Sequence, residues 1–204
     1  RNFKKKNISD LSMLVNLCKN VGTLNFSILA RHGFVAKSFL NSMVCKKIFN
    51  EFEIEKFEQN LNTITKKMLN DLDLVRKRKI NKSFFMLKYG HLRPGSYDIT
   101  STRYDQIKNF NFNIKKSSIK QKKFKLTKKK SKIIDKLLKK EGFKNLDSKI
   151  FFQYLSSAIS LREYSKFIFT KYLSLILEII AKYGKKHNLN RTELSNLDIN
   201  TFLN

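Results

Sequence analysis

From Ser148 to Tyr183 the chain is apolar on most sides of a helix, and Gly184 is the next residue suited to stop one. A run of this kind is buried only if other helices pack around it, so it commits the chain to an all-α fold with that helix at its centre. Lys166, Lys171, Glu178 and Lys182 interrupt its most apolar part, which argues against a membrane span.

The remaining periodicity is also helical. Ser9 or Asp10 can cap a first helix to about Val21, and Thr23 can start a second that carries Leu24, Phe26, Leu29, Phe34 and Phe39. Asn50 can cap a long third helix whose apolar stripe runs through Phe57, Leu61, Ile64, Met68, Leu72 and Val75. Asn81 opens a short helix, Ser83 to Tyr89, with Gly90 as its stop. A further helix is expected around Ile133, Leu137 and Leu138. Asn190 with Glu193 forms a capping-box pattern, and Asp198 can cap the closing turn. With 204 residues the expectation is a single helical domain, 1–204.

Between His91 and about Phe112 the period disappears. A loop of that length in a helical chain is uncommon and often functional. It holds the only proline, Pro94, and collects His91, Arg93, Asp98, Arg103 and Tyr104. Pro94-Gly95 can form a turn that brings Arg93 back toward Asp98. Of 43 basic residues only eight are Arg, and Arg31, Arg93, Arg103 and Arg162 fall in the stretches that read as a site. Where Lys is the default cation, a retained Arg points to a planar fork gripping carboxylate or phosphate. On the central helix Arg162, Lys166 and Thr170 recur every four residues beside Glu163, one polar patch that must be paired internally or bound to a ligand. Arg31-His32-Gly33 lies within the second helix. Gly33 there costs about 0.5–1 kcal/mol against Ala, so close approach of another backbone or a ligand is expected.

The formal charge of +27 accompanies abundant Lys, Asn, Ile and Phe and no Trp, the pattern of an AT-rich coding sequence rather than of selection for a polyanion. The lysine-rich stretch 113–132, densest from Lys115 to Lys132, reads as a solvated loop. Its one aromatic residue, Phe124, is no stacking platform, so nucleic acid is disfavoured as a partner. Cys18 and Cys45 show no metal-ligand or redox spacing, and no metal site is expected. No glycine-rich phosphate loop and no Ser/His/Asp ordering is present. No signal peptide is visible, and the chain is expected to be part of a longer cytoplasmic polypeptide.

Three segments carry a resemblance: LARHGFVAKSFLNS at 29–42, KYGHLRPGSYDITSTRYDQ at 88–106 and AISLREYSKFIFTKYLSLILEIIAKYG at 158–184. Together with the closing RTELSNLDINTFL, they make nearly the whole chain similar to the helical middle region of phosphoenolpyruvate-utilizing enzymes. These are phosphotransferases resembling phosphoenolpyruvate synthase, pyruvate, phosphate dikinase and rifampicin phosphotransferase. The resemblance implies an ATP- and magnesium-dependent enzyme with an ATP-grasp domain and a swivelling phosphohistidine domain as partners. No cofactor is expected in this chain, and a small-molecule substrate is. By resemblance Arg31, His32, Arg93, Asp98, Arg103, Arg162, Glu163 and Lys166 bind substrate or hold the site together, and the loop residues His91 and Tyr104 join them as substrate-binding candidates. Neither partner domain is resembled here, so the chain is expected to be catalytically incomplete alone, and no catalytic residue is assigned. The competing expectations are a basic helical nucleic-acid-binding module and a structural spacer.

Overall fold

The computed structural model describes residues 7–112 and 123–203, and among these the fold is all-α with no strand. The helices are α1 Leu11–Leu17, α2 Leu24–Cys45, α3 Glu51–Asn60, α4 Ile64–Arg76, α5 Lys82–Tyr89, α6 Lys128–Lys140, α7 Ser148–Lys186 and α8 Arg191–Ser195. Among the described residues no helix is long and apolar enough to cross a membrane.

The described residues form two compact units. The first gathers 7–26, 68–112 and 165–203, and the second 27–67 and 123–164, so α2, α4 and α7 each contribute to both. The first unit's core is built from Leu11, Leu14 and Cys18, then Ile99, then Phe169, Ile176, Ile179 and Ile180 of α7, closed by Leu194. In the second, Ala36, Leu40 and Met43 of α2 meet Ile54 and Phe57 of α3, Ile134 and Leu138 of α6, and Phe151, Phe152 and Leu155 of α7.

Several helix boundaries depart from expectation, each for a local reason. The first two helices are not separated at Gly22: helical backbone continues from α1 to α2 through one wide π-helical turn, Cys18–Thr23. The Thr23 hydroxyl donates to the Cys18 carbonyl at 3.2 Å inside that turn, and a Cβ on Gly22 would stand 2.8 Å from the Phe169 ring. Packing thus replaces the break that glycine suggests. The start lies earlier too, in a 3-10 turn, Ile8–Asp10, where the Asp10 carboxylate accepts the Asn7 N–H at 3.0 Å.

The long third helix is two. Asn50 does cap α3, accepting the Glu53 N–H at 2.9 Å while Glu53 accepts the Asn50 N–H at 3.0 Å. Leu61 then turns extended, the Asn60 side chain donates to the Lys56 carbonyl, and the Thr63 hydroxyl accepts the Lys66 N–H to begin α4. Side chains that compete with the backbone ended the helix although the apolar period ran on.

Of the lysine-rich stretch, 113–122 lies outside the described residues. The rest is not a solvated loop: Thr127 caps α6, which begins at Lys128, and Phe124 packs into the second core with rings of Phe57 at 5.2 Å and Phe152 at 5.6 Å. Nor does Gly184 end α7, which continues to Lys186. Its glycine is needed because a Cβ would meet Leu194 at 2.6 Å, and the left-handed stop belongs to Asn188, φ 59°. The capping box of Asn190 and Glu193 and the Asp198 cap occur as expected.

Candidate functional site

The irregular segment 91–112 is anchored in the first unit around the buried Arg93 side chain, with Ser174 Oγ donating to the His91 carbonyl and Arg191 Nη1 to the Ile99 carbonyl, both at 2.8 Å. Arg93 donates through Nη1 to the carbonyls of Asp98, 3.2 Å, and Ser101, 3.1 Å, and through Nη2 to Ser174 Oγ and Glu178 Oε1, both 3.0 Å. The turn does bring Arg93 to Asp98, but to its carbonyl. The Asp98 carboxylate accepts the Thr100 hydroxyl and N–H instead, and these bonds hold it below the usual range. Glu178 also accepts from Arg191, at 2.9 Å and 3.0 Å, and from Gln106, at 2.6 Å. Burial pushes the Glu178 carboxyl up, yet the Gln106 and Arg191 hydrogen bonds and the two guanidinium charges outweigh it and leave its pKa below the ordinary value.

His91 sits beside this knot, buried, with its ring edge-on to Phe167 at 4.8 Å. Nε2 lies 3.3 Å from the Phe167 carbonyl, which accepts from it when that nitrogen is protonated. Among the described residues Nδ1 has no hydrogen-bond partner. Burial drives the His91 pKa down to about 4, assisted by the charges of Lys171 and Arg103. The Phe167 and Lys88 carbonyls oppose it.

A groove of about 1530 Å³ opens over this region, between the end of α4, α5 and the segment from Arg103 to Phe112. Among the described residues Arg76, Arg78, Lys82, Arg103, Lys108 and Lys171 line it against a single carboxylate, Asp105. Arg103 is forked onto Asp105, Nε to Oδ1 at 3.0 Å and Nη2 to Oδ2 at 2.6 Å, and Arg76 onto Asp73 at 2.5 Å. Among the described residues no carboxylate lies within ion-pair distance of Arg78, Lys82 or Lys108. The groove is therefore a concentration of positive charge with apolar walls, suited to an anion. Tyr104, on the 3-10 turn Tyr104–Gln106, packs with its ring tilted and 5.0 Å from that of Phe110 and forms part of one wall. Asp105 stands where Gly90 leaves room, since a Cβ on Gly90 would come within 2.8 Å of the Asp105 Cβ.

The other candidates lie elsewhere. In the second unit Arg31 is exposed on α2, and His32 Nδ1 is 3.1 Å from the Tyr154 hydroxyl. Gly33 is the close approach its sequence position suggested: a Cβ would meet the Arg162 side chain at 2.6 Å, and the Arg162 guanidinium lies 5.1 Å from the centre of the Phe34 ring. Glu163 accepts the Thr65 hydroxyl at 3.2 Å rather than closing a pair along its own helix. Lys166 belongs to the first unit and is exposed. The polar patch on α7 is thus not buried as a set, since Arg162 and Lys166 face solvent and only Thr170 is buried.

Sequence reasoning missed Ser174, Glu178, Gln106 and Arg191 in the knot and Arg78, Lys82 and Lys108 in the groove. Glu178 carried a readable signal, a carboxylate inside Leu-Ile-Leu-Glu-Ile-Ile, which requires a buried cation. The groove lysines carried none in a chain with 43 basic residues. Among the described residues no group of three or more His, Cys, Asp or Glu could hold a metal ion. Set against protein-family models, curated proteins and solved structures, the chain finds no match in any of the three.

Proposed function

We propose that this chain is the substrate-side helical region of an ATP-dependent, dikinase-type phosphotransferase similar to phosphoenolpyruvate synthase, with the groove of the first unit as the seat of an anionic substrate or phosphoryl acceptor. The observation that carries the reading is the pairing of motif and charge. The segment 88–106, one of the two long resembling motifs, supplies His91, Arg103, Tyr104 and Asp105 to a wall of that groove, and Lys171 comes from the other, 158–184. Arg93 acts here as the tie that holds the wall in place. The cations act as phosphoryl-transfer enzymes use theirs, neutralising charge at a prepared position. ATP-grasp and phosphohistidine domains supply nucleotide and phosphoryl group in such enzymes, and the reading carries a cytoplasmic location with it.

The test is a heat titration of the chain with phosphoenolpyruvate and with inorganic phosphate, at low and moderate salt. Saturable binding of phosphoenolpyruvate that weakens at least fivefold in Arg103→Gln and in Lys108→Gln is expected. No saturable binding of either anion, or binding indifferent to both substitutions, overturns the assignment of this groove.

A further inference from the structure

The groove is too large and too aromatic for a small hydrophilic acid alone. Its volume of about 1530 Å³ leaves room for much more than a phosphate group. Phe84, on α5, is 53 % exposed on its lining, and Phe110 and Phe112 are half-buried there, with Lys82 Nζ 5.2 Å from the centre of the Phe112 ring. A bare phosphate would satisfy the cations and leave these rings in water.

Resting on the anion-site reading above, we infer that the ligand of this groove is of the nucleotide class, its phosphate held by Arg78, Lys82 and Lys108 and its base laid on Phe84 and Phe112. Aromatic rings beside unpaired cations are the combination that accepts a base and its phosphate together. Arg78 offers a further sign. It occupies a left-handed position, φ 57°, closing α4 through Arg78 N–H to the Val75 carbonyl and Lys79 N–H to the Leu74 carbonyl. Glycine is the unstrained residue there, and an arginine that lines a cationic groove instead is consistent with use of its side chain.

The chemistry is shared by free nucleotides and by single strands, so the experiment carries both. The chain is titrated with adenosine monophosphate, ribose 5-phosphate, phosphoenolpyruvate and a short deoxythymidine oligonucleotide, as wild type, Phe84→Ala and Arg78→Gly. Adenosine monophosphate is expected to bind about tenfold more tightly than ribose 5-phosphate, the order that one stacked base supplies. Phe84→Ala should abolish that advantage and leave ribose 5-phosphate unchanged. Arg78→Gly should weaken both phosphates about fivefold or more without lowering the melting temperature, because it relieves the backbone. An oligonucleotide that binds a hundredfold more tightly than the mononucleotide, with Phe84→Ala reducing both, supports the nucleotide class and names a single strand as its source. Equal affinities for adenosine monophosphate and ribose 5-phosphate overturn the nucleotide inference while the anion site stands. If phosphoenolpyruvate and the phosphates all fail to bind, both readings fall.

Discussion

Glu178 and Phe152 are both buried on α7, one in each unit, yet one core gathers around a charge and the other around a ring. In the first unit the Glu178 carboxylate collects Arg93, Arg191 and Gln106, and the side chains of Arg93 and Glu178 are 1 % and 8 % exposed. In the second, Phe152 lies within 6.1 Å of the ring centres of Phe49, Phe57, Phe124 and Phe151. Hydrogen bonds to a buried charge are directional and fail when one partner is lost, whereas apolar packing is graded and can partly relax. The difference teaches which unit can hold an irregular loop in one shape. The segment 91–112 has no helix longer than one turn of its own, and the directional knot fixes its backbone carbonyls at Asp98 and Ser101.

The largest expected effect breaks that knot. Glu178→Ala leaves Arg93 buried and uncompensated, at a cost of about 3–5 kcal/mol measured as the shift in urea unfolding. A cost near 1 kcal/mol would mean that the guanidinium escapes to water and that charge does not organise the first unit.

Next is the pH dependence contributed by His91. Its folded pKa of about 4 lies below the ordinary value near 6.5, so the unfolded chain binds the proton first as pH falls. The contribution is complete above pH 6.5, drains between 6.5 and 4, and amounts to about 3 kcal/mol across the window. Glu178 and Asp98, with pKa values below their ordinary ones, lose their contributions at lower pH, beneath most of that window. Urea midpoints of wild type and His91→Asn, taken at pH 7.5 and 4.5, should therefore converge at the lower pH. Parallel pH dependence in the two proteins would remove His91 from the account.

The sequence showed the helical class, the central α7, the caps at Asn50, Asn190 and Asp198 and the irregular stretch from His91 onward, because each is a local pattern of periodicity or capping chemistry. Pairings across the chain were not local. That a buried Glu178 needs a cation follows from its apolar neighbours, but nothing along the chain says that Arg93, rather than another of eight arginines, supplies it. The interruption between α3 and α4 was hidden because Leu61 keeps the apolar stripe in step while its backbone leaves the helix. Phe124 was masked by flanking lysines whose charges obscure the one inward-facing ring. Gly184 misled because contact with Leu194, not helix termination, explains it. The groove rests on Arg78, Lys82 and Lys108, residue types common enough in this chain that only their placement distinguishes them.

In the aromatic core, Phe152→Leu is expected to cost about 1–2 kcal/mol, since leucine keeps most of the apolar volume and the four neighbouring rings can shift toward it. The comparison sharpens if Glu178→Ala and Phe152→Leu, measured by urea unfolding under the same conditions, differ by at least 1.5 kcal/mol in that order. A reversed order would make packing in the second unit the more brittle arrangement.

The smallest expected effect comes from a charge pair placed in the ring-built unit. Glu53 accepts both the Asn50 N–H and the Lys130 ammonium, the latter at 2.5 and 2.6 Å, and the Lys130 hydrogen bond, followed by the Asn50 N–H, holds the Glu53 carboxyl below its usual range. Lys130→Met removes the ion pair and the ammonium that lies 4.3 Å from the centre of the Phe49 ring, but it leaves the capping box of α3 intact. The lysine and glutamate side chains are 23 % and 32 % exposed, so water takes up most of what is lost, and the cost should be about 0.2–1 kcal/mol. It should also shrink as salt rises, because exposed charges are screened. A cost of several kcal/mol that persists in 1 M salt would place a second buried-type charge at work beside the phenylalanines, and the contrast between the two units would then be one of degree rather than of kind.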